Sequence, residues 1–464
     1  MAQPRKPEGR GQTDDNGTRD AMATRATVAM ATRAIVVSPV LAAERRAAES
    51  SATIVRSPEA RSEEAVGLAE AIDLDVISAE IIPVNAPRPA TLIGTGKLEE
   101  LAGRVAEAEI EVVIVDHPLT PVQQRNLEKA LNAKVLDRTG LILEIFGRRA
   151  RTKEGRLQVE LAHLEYQRGR LVRSWTHLER QRGGGGFMGG PGETQIEADR
   201  RLLQDRIVRL KRELETVRRT RDLHRSKRRK VPFPIVAIVG YTNAGKSTLF
   251  NRLTGAAVMA EDMLFATLDP TLRRVQLPHG TTIILSDTVG FISDLPTHLV
   301  AAFRATLEEV IEADLVIHLR DISDPDSSAQ AADVEEILGD LGVDAGDKKH
   351  VLEVWNKIDN LDPERRRALL DGTRGPAAPL AVSAVTGEGV DDLLAQVEAR
   401  ISGAITAITI SLTPAQMPLL DWVYRHGDVT ERADNDDGSV TITVRATDAA
   451  RHEISERLAL GDSE

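Results

Sequence analysis

The stretch PIVAIVGYTNAGKSTLFNRL, residues 234–253, decides the fold of this chain. It predicts a buried strand over residues 234–239, then the turn GYTNAGKS at residues 240–247, then an amphipathic helix over residues 248–253. This order predicts a phosphate-binding loop, because the turn wraps backbone N–H groups around a phosphate and the helix N-terminus adds positive charge. We expect Lys246 to bridge β- and γ-phosphate oxygens and Ser247 to coordinate Mg²⁺.

Two further segments supply candidate contacts to the metal and the γ-phosphate. Asp287-Thr288-Val289-Gly290 follows a predicted strand, so we expect Asp287 to hold Mg²⁺ through water and the Gly290 amide to reach the γ-phosphate. Phe265-Ala266-Thr267-Leu268 lies between the two loops, and its threonine is the candidate for Mg²⁺ and the γ-phosphate, with Thr271 as a nearby alternative. The expected metal ligands are Ser247, Thr267 and Asp287, and the expected catalytic groups are Lys246, Thr267 and Gly290.

Two later segments indicate that the base is guanine. Asn356-Lys357-Ile358-Asp359 follows a predicted strand, and Asp359 can accept from both N1–H and N2–H₂ of guanine, a pair that adenine does not offer. A buried polar group left unpaired by the wrong base rejects that base strongly. Ser383-Ala384 fits a loop that gives a backbone N–H to guanine O6. The pattern predicts GTP and GDP as ligands, with hydrolysis of GTP to GDP and phosphate. The expected nucleotide contacts are Gly240, Tyr241, Thr242, Asn243, Ala244, Gly245, Lys246, Ser247, Thr248, Phe265, Ala266, Thr267, Leu268, Asp287, Thr288, Val289, Gly290, Asn356, Lys357, Ile358, Asp359, Ser383 and Ala384.

The residue after Gly290 is Phe291, where many small GTPases place a glutamine that orients the attacking water. An apolar side chain cannot do this, so we expect slow intrinsic hydrolysis until a partner, a backbone group or a bound cation positions the water. Asn243, in the middle of the loop, is a candidate ligand for a monovalent cation such as K⁺. The alternative is that Asn243 only stabilises the turn.

Length and composition limit the remaining choices. A chain of 464 residues predicts roughly three globular units at about 150 residues each. It contains no cysteine, which excludes disulfides, thiolate zinc sites and cysteine nucleophiles and suits a reducing cytosol. No stretch approaches the ~18 uncharged apolar residues of a membrane span, so a cytoplasmic protein is expected, with peripheral membrane association as a second option. Residues 1–33 are polar and are expected to form a disordered tail.

Residues 34–150 alternate short β-branched runs with helical segments, which predicts a small parallel α/β domain. The predicted strands are residues 34–37 and 111–115, and the predicted helices are residues 96–108 and 121–131. Ile93-Gly94-Thr95-Gly96-Lys97 resembles a second phosphate loop, but Thr91 and Leu98 stand where that motif needs glycine and a hydroxyl. We interpret it as a tight turn before a helix, with a ligand contact as the less favoured alternative.

Residues 151–230 carry a different pattern. Leucines and other apolar residues recur at three- and four-residue steps in two segments, as in helices that bury stripes against each other. The stripe residues are Leu157, Leu161, Leu164, Leu171, Trp175 and Leu178, then Leu203, Ile207, Leu210, Leu214 and Val217. Seven glycines between Gly183 and Gly192 separate the segments, and interior glycine costs about 1 kcal/mol relative to alanine. The prediction is an antiparallel coiled-coil hairpin with a glycine-rich tip.

The second helix of this hairpin ends in a dense basic run, within an otherwise acidic chain of net charge −11. Clustered Arg and Lys bind phosphate backbones by releasing counterions, without reading sequence. Few aromatic residues accompany the run, so an RNA backbone contact is favoured over single-strand stacking. The alternative is a solvated helix face. The run comprises Arg218, Arg219, Arg221, Arg225, Lys227, Arg228, Arg229 and Lys230, opposed by Asp222.

Residues 403–464 predict a small C-terminal α/β domain with strands near residues 405–412 and 439–444, a helix near residues 414–424, and no recognisable chemistry. The expected fold class is therefore α/β and multidomain. It comprises an N-terminal α/β domain at residues 34–150, an antiparallel helical hairpin at residues 151–230, a P-loop GTPase domain with a doubly wound sheet at residues 231–402, and this small C-terminal domain.

At several separate places the chain resembles the HflX family of GTPases, over about residues 34–400. The matching segments are IGTGK (93–97), PVQQRNL (121–127), DRT (137–139), LQVEL (157–161), GPGETQ (190–195), DRR (199–201), GYTNAGKS (240–247), FATLDP (265–270) and DTVGF (287–291). One departure is Gly189, where many members carry a basic residue before Gly-Pro-Gly-Glu.

The resemblance implies an N-terminal ribosome-binding domain, a helical hairpin and a GTPase domain. It also implies a partner, the large (50S) ribosomal subunit with its RNA and proteins, and an activity, the splitting or rescue of stalled or idle ribosomes under stress. A monomer is expected. Two other functions stay open, a GTP-regulated protein-binding switch and a ribosome-assembly factor without splitting activity. A third option, an ATPase site in residues 91–115, would require ATP hydrolysis that survives loss of Lys246.

Overall fold

The computed structural model describes residues 31–49, 56–181, 191–228, 233–256, 264–265, 267–268, 270–293, 307–372, 378–402, 406–435, 437–446 and 448–461. Three sheets of four, six and three strands organise this part of the chain. The mixed α/β, multidomain fold class expected from the sequence is confirmed. The expected tail up to residue 30 and the glycine-rich tip at residues 182–190 lie outside the described residues.

The first sheet is parallel, with strand order β2-β1-β3-β4. Alternate residues of β1 pack on opposite faces: Ala34 and Val36 face one hydrophobic cluster, and Ile35 and Val37 face another. The strands are β1 (Thr32–Leu41), β2 (Leu74–Val84), β3 (Val112–Val115) and β4 (Lys134–Asp137). The helices are α1 (Ala42–Glu49), α2 (Pro58–Glu70), α3 (Thr95–Glu107), α4 (Pro121–Leu131) and α5 (Arg138–Arg149).

The first strand differs from the prediction, because it begins at Thr32 and ends at Leu41. Thr32 and Arg33, assigned to the tail from sequence, belong to this strand. The reason is that β1 pairs with β2 along its whole length, from Thr32 opposite Leu74 to Leu41 opposite Val84. The β2 segment lacks a continuous apolar run, since exposed residues alternate along it with partly buried or buried ones.

Two long helices follow, α6 (Lys153–Gln181) and α7 (Pro191–Arg228). Leu157, Leu161, Leu164, Ile207 and Leu210 form one buried cluster between them, with Leu203, Leu214 and Val217 partly buried against it. The predicted pairing of the two stripes is therefore present in this stretch. The side chains of Leu171, Trp175, Leu178 and of most of the basic run lie outside the described residues.

The predicted glycine break was wrong at its last residue, because Gly192 is helical in α7. Gly192 follows Pro191, the first residue of the helix. Proline suits the first helical position because its fixed φ angle is helical and its missing N–H would have no partner there. The large cost of glycine applies to a helix interior, so Gly192 is tolerated in the first turn.

The second sheet has the order β10-β9-β8-β5-β7-β6, and every neighbouring pair is parallel except β6 with β7. Its strands are β5 (Ile235–Gly240), β6 (Thr271–Gln276), β7 (Thr282–Asp287), β8 (Leu315–Asp321), β9 (Val351–Asn356) and β10 (Leu380–Ala381). Its helices include α8 (Lys246–Thr254), α9 (Ser327–Asp340), α10 (Pro363–Gly372) and α11 (Val390–Ser402). Parallel strands place their carboxyl ends at one edge, where open α/β sheets bind ligands.

The third sheet is antiparallel, with the order β11-β13-β12, and helices α12 (Pro418–His426) and α13 (Asp448–Gly461) accompany it. Its strands are β11 (Thr406–Leu412), β12 (Asp428–Asp434) and β13 (Val440–Ala446). The sequence did not predict β12, whose residues DVTERAD are mostly polar. Within the described ranges, no helix combines the length and apolarity needed to cross a bilayer.

Candidate guanine-nucleotide site

The loop between β5 and α8 has a backbone that only certain residues adopt. Gly245 has a φ of +91°, and a Cβ at this position would lie 2.3 Å from Nδ2 of Asn356. Any side chain here would both strain the backbone and collide with Asn356. Asn243 also has a positive φ, of 61°, which asparagine tolerates better than most residues. The loop therefore has the tight turn that its sequence predicts.

Lys246 begins α8 and is 6% exposed. Its Nζ donates a hydrogen bond to the carbonyl oxygen of Tyr241 at 2.6 Å. Burial lowers the pKa of Lys246 to about 8; Asp287 opposes this shift and Lys357 adds to it. A buried ammonium with so little compensating negative charge is suited to an anionic ligand, because a phosphate would supply the missing charge.

Ser247, Thr267 and Asp287 converge at the end of β7. The Ser247 hydroxyl donates to Oδ2 of Asp287 at 2.8 Å, the Thr267 hydroxyl donates to the same oxygen at 3.0 Å, and the two hydroxyl oxygens are 3.0 Å apart. The other carboxylate oxygen, Oδ1 of Asp287, is buried and has no hydrogen-bond partner within the described part of the chain. These three oxygen-bearing side chains, one of which has an unpaired buried oxygen, suit Mg²⁺, a hard cation that prefers oxygen ligands.

Burial raises the pKa of Asp287 above its usual value, although Ser247, Lys246 and Thr267 oppose the shift. A divalent cation would act in the same direction as these three residues and favour the ionised carboxylate. Thr271, the alternative to Thr267, is the first residue of β6 and pairs with Asp287 through the strand ladder. The structure thus brings Thr267, and not the Thr271 hydroxyl, into hydrogen-bond contact with Asp287 and Ser247.

Gly290 lies directly beside the loop. A Cβ on Gly290 would be 2.9 Å from Cγ2 of Thr242 and 3.1 Å from Nζ of Lys246, so a side chain would press on the lysine. The next residue, Phe291, is linked to the loop on both sides. Its N–H donates to the Gly240 carbonyl at 3.1 Å, and its carbonyl accepts from the Thr242 N–H at 2.7 Å. The Phe291 side chain is apolar and 1% exposed, packed within the hydrophobic core.

Asn356 holds the base-side loops together. Its Nδ2 donates to the Ala244 carbonyl at 2.8 Å, and its Oδ1 accepts from the Ala384 N–H at 2.9 Å. Asp359, three residues later, is exposed in a short 3₁₀ turn. Lys357 has a φ of 64°, and its Nζ lies 2.7 Å from Oδ2 of Asp321 at the end of β8. The carboxylate of Asp359 is therefore exposed, two residues after a lysine that is held by an ion pair to β8.

Ser383 and Ala384 follow β10 and are buried. Because the Ala384 N–H is bonded to Asn356, a contact from Ala384 to guanine O6 would have to share that N–H. The Ser383 hydroxyl accepts from the Thr386 N–H at 3.0 Å, which shapes the turn. Arg252 of α8 supports the same loop by donating from Nε to the Ala384 carbonyl at 2.6 Å. Sequence reasoning missed Arg252, and no motif spacing identifies it.

The remaining expected contacts have structural neighbours of their own. Thr288 donates its hydroxyl to the Ile238 carbonyl at 2.6 Å. Phe265 packs edge-on against Phe146 of α5, with ring centroids 4.8 Å apart. Leu268 and Val289 are buried, and Thr248 is half-buried in the first turn of α8. Ala266 lies outside the described residues.

The N-terminal segment at residues 93–97 has a different structure. Gly94 is the residue before α3, and Thr95, Gly96 and Lys97 form the first turn of this helix. Nζ of Lys97 lies 3.3 Å from Oε2 of Glu80 and 2.7 Å from Oε1 of Glu100. This lysine already has two carboxylate partners, in contrast to Lys246, which fits the interpretation as a tight turn.

Comparison with known proteins identifies the chain's relatives. The chain is 52% identical over 380 residues to "GTPase HflX" of Magnetococcus marinus, which covers 82% of this chain and 87% of that protein. It is 47% identical over 361 residues to "GTPase HflX" of Escherichia coli, which covers 78% of this chain and 84% of that protein. The chain belongs to the HflX family of GTPases. It is therefore a GTPase that uses GTP and GDP, as its sequence predicts.

Family models match most of this HflX-family chain. Residues 59–147 match the model for "GTP-binding GTPase N-terminal", residues 149–228 match "GTP-binding GTPase Middle Region", and residues 368–464 match "HflX C-terminal domain". Residues 235–357, which include most of the site described above, match "50S ribosome-binding GTPase".

Solved structures of GTP-binding proteins also align with the chain. One is the complex of SsGBP with GDP, at 25% identity, covering 79% of this chain and 97% of that chain with a TM-score of 0.44. Another is a GTP-binding protein from the archaeon Sulfolobus solfataricus in complex with GDP, at 25% identity, with 80% and 98% coverage and a TM-score of 0.43.

Proposed function

We propose that this HflX-family GTPase associates with the large (50S) ribosomal subunit in a GTP-dependent manner and splits stalled or idle ribosomes. The proposal is based on two features that occur together in this chain. One is the convergence of Lys246, Ser247, Thr267, Asp287 and Gly290 at a phosphate loop. The other is the α6–α7 hairpin, whose second helix leads into the basic run that ends at Lys230.

In the proposed site each residue has one task. Lys246 neutralises β- and γ-phosphate oxygens, and the Gly290 amide binds the γ-phosphate. Ser247 and Thr267 would hold Mg²⁺ directly and Asp287 through water, and the ion would neutralise charge that develops on the phosphates. Asp359 accepts from the guanine N–H groups, and Asn356 keeps the base-side loops in register with the phosphate loop.

Hydrolysis then depends on how the attacking water is placed. Because Phe291 is buried in the core, its side chain does not place this water. We propose that the ribosome stimulates hydrolysis by completing the site, and that hydrolysis releases the protein from the ribosome. Thr267 and Gly290 would contact the γ-phosphate only while GTP is bound. The two segments that carry them would therefore differ in conformation between the GTP and GDP states.

K⁺ is proposed as a second cation in this site, next to the exposed Asn243 with its positive φ. A cation there would add positive charge beside the phosphates, where charge builds up during phosphoryl transfer. We expect GTP hydrolysis by the purified protein to be several-fold faster in KCl than in NaCl at equal ionic strength. Asn243→Ala is expected to remove this difference. Equal rates in the two salts would eliminate the role of K⁺.

The proposed organisation follows the domain boundaries expected from sequence: residues 34–150, 151–230, 231–402 and 403–464. The described surface of the α6–α7 hairpin contains ion pairs, such as Arg209 with Glu213 at 3.1 Å and Lys211 with Glu165 at 2.8 Å. The run from Arg218 to Lys230 instead contains eight basic residues and one acidic residue, Asp222. We propose that this run contacts ribosomal RNA, and that the protein acts as a monomer in the cytoplasm.

Co-sedimentation with ribosomes over a salt series tests the partner. We expect binding with a non-hydrolysable GTP analogue, weak binding with GDP, and a steep loss of affinity as salt rises. Log affinity falls linearly with log salt, and each phosphate contact makes this slope steeper by about 0.7–0.9. The combined changes Arg225→Gln, Lys227→Gln and Arg228→Gln should therefore make the slope shallower by about 2. The charge-matched control, Arg365→Gln, Arg366→Gln and Arg367→Gln on α10, should keep the slope.

Sucrose gradients of the same mixtures then test the activity. The proposal expects intact ribosomes to convert to separate subunits with GTP or its analogue. Binding without conversion would favour an assembly factor, and nucleotide-independent or absent binding would favour a switch that docks another protein.

A further inference from the structure

A cluster of buried charges lies where the N-terminal sheet meets the nucleotide-binding domain. Its centre is Glu64 of α2, whose side chain is 5% exposed. One Glu64 oxygen lies 2.5 Å from a guanidinium nitrogen of Arg138, and the other lies 2.5 Å from one of Arg56. Arg138 also binds Asp116 at 2.5 Å. We call Arg56, Glu64, Asp116 and Arg138 the Glu64 cluster.

The Glu64 cluster contacts two parts of the nucleotide site. Glu64 accepts a hydrogen bond from the hydroxyl of Tyr241, the second residue of the phosphate loop. The same hydroxyl accepts from the Ser293 N–H at 2.9 Å, and Arg138 donates to the Ser293 carbonyl at 2.9 Å. Ser293 stands three residues after Gly290. The Tyr241 hydroxyl and Arg138 therefore connect the N-terminal domain to the phosphate loop and to the segment after Gly290.

Tyr241 connects this cluster to the phosphate side of the loop. Its side chain points to Glu64, while its backbone carbonyl accepts from Nζ of Lys246 at 2.6 Å. Displacement of the tyrosine ring would thus move the carbonyl that holds the lysine. Because Gly290 lies against Lys246, a shift of either segment changes the place where the γ-phosphate would bind.

The charge states of the cluster fit these hydrogen bonds. Burial would raise the pKa of Glu64, but Arg138 and Arg56 outweigh it and hold the pKa below its usual value, so Glu64 is ionised and accepts. Burial, and then the Glu64 carboxylate, raise the pKa of Tyr241, so its hydroxyl keeps its proton and donates. Burying four charges is weak evidence for stability, because desolvation offsets most of the attraction. Stability alone therefore does not account for the cluster.

We propose that Glu64 is a positioning residue for GTP hydrolysis, which acts through the Tyr241 hydroxyl to fix the phosphate loop relative to the segment after Gly290. Apolar contacts support the same interface. Phe265 packs on Phe146, and the Leu264 side chain lies beside Gly67 of α2. The N-terminal domain thereby fixes the geometry of the phosphate loop without touching the nucleotide. The inference rests on the proposed roles of Lys246 and Gly290, and it does not depend on ribosome binding.

Steady-state kinetics of the full chain test the proposal with two variants. Tyr241→Phe removes the hydroxyl and keeps the ring, and Glu64→Gln removes the charge and keeps the shape. Each is expected to lower kcat about tenfold or more, since small misplacements of reacting groups cost up to about 100-fold. KM for GTP and the Kd for GDP should stay within about threefold of the unaltered protein, because the base contacts are unchanged.

A double variant separates positioning from general destabilisation. If Glu64 acts through the Tyr241 hydroxyl, then Glu64→Gln combined with Tyr241→Phe should be about as slow as the slower single variant. The matched control is Glu80→Gln, which removes a carboxylate of β2 in the same domain that pairs with Lys97 and Arg104 of α3. This control should keep kcat.

Several results would overturn the proposal: an unchanged or raised kcat in Tyr241→Phe, full multiplication of the two single effects in the double variant, or an equal loss in Glu80→Gln. Tyr241→Phe alone decides the question if Glu64→Gln fails to fold, since it leaves every charge in place. Failure of the underlying site would look different, because Lys246→Ala would then hydrolyse GTP normally.

Discussion

Lys246→Ala is expected to lower kcat/KM for GTP by at least about 100- to 1,000-fold, the range found when one electrostatic contact to a developing charge is removed. The reason is the burial of this ammonium. It is 6% exposed, its neighbour is the Tyr241 carbonyl, and burial lowers its pKa to about 8. A group held in this state gains most from a bound phosphate, and alanine provides no charge to replace it. The check is the steady-state rate of phosphate release from GTP in Mg²⁺.

The matched control is Lys97→Ala, in the segment of the N-terminal domain that resembles a phosphate loop. Lys97 already pairs with Glu80 and Glu100, so its loss should leave GTP hydrolysis within about twofold of the original rate. ATP hydrolysis that persists in Lys246→Ala and disappears in Lys97→Ala would instead reveal a second nucleotide site. Comparable losses of GTP hydrolysis in both variants would contradict the assignment of the site.

Asp359→Asn is expected to have the second largest effect, and it should change which base the protein accepts. In the proposed site the carboxylate accepts from N1–H and N2–H₂ of guanine, whereas an amide would present an N–H group to the guanine N2–H₂ group. Sites built to hydrogen-bond a substrate group reject the mismatched ligand by up to about 10⁴–10⁵-fold. We expect kcat/KM for GTP to fall by about 100-fold or more, and that for xanthosine triphosphate to rise, because xanthine carries an oxygen where guanine carries N2–H₂.

The control for this change is Asp362→Asn, three residues further along the chain. Asp362 is exposed and accepts from the Glu364 and Arg365 N–H groups at the start of α10. Asparagine caps helices about as well as aspartate, so this variant should keep both its stability and its preference for GTP. A preference for GTP that survives in Asp359→Asn would show that another group recognises the base.

Most chemistry-bearing segments of the site were predictable because they follow strands with a strong apolar pattern, whereas the segment with Thr267 lies before β6. The run over residues 235–239 identified β5 and, with it, the loop that holds Lys246. The order of the motifs predicted that Ser247, Thr267 and Asp287 lie close together. In the structure it is Thr267, the preferred of the two candidate threonines, that forms hydrogen bonds with the other two residues. Local pattern is sufficient here because parallel strands deliver their carboxyl ends to one edge.

Contacts between distant segments were not predictable. Nothing in the spacing of Glu64, Arg138 and Tyr241 connects them, since 177 residues separate Glu64 from Tyr241 along the chain. The support that Arg252 gives to the Ala384 loop depends in the same way on tertiary packing. Strands β2 and β12 were not predicted, for a different reason. One face of β2 is exposed and β12 is mostly polar, so neither shows the apolar run that marked β5.

Calorimetric titration of the purified protein with nucleotides in Mg²⁺ tests the central claim most directly, namely that the loop around Lys246 and the carboxylate of Asp359 form one guanine-nucleotide site. We expect GTP and GDP to bind with one site per chain, ATP to give no measurable heat, and Lys246→Ala to lose most of the affinity for GTP. Equal binding of ATP and GTP, or undiminished GTP binding by Lys246→Ala, would contradict the claim.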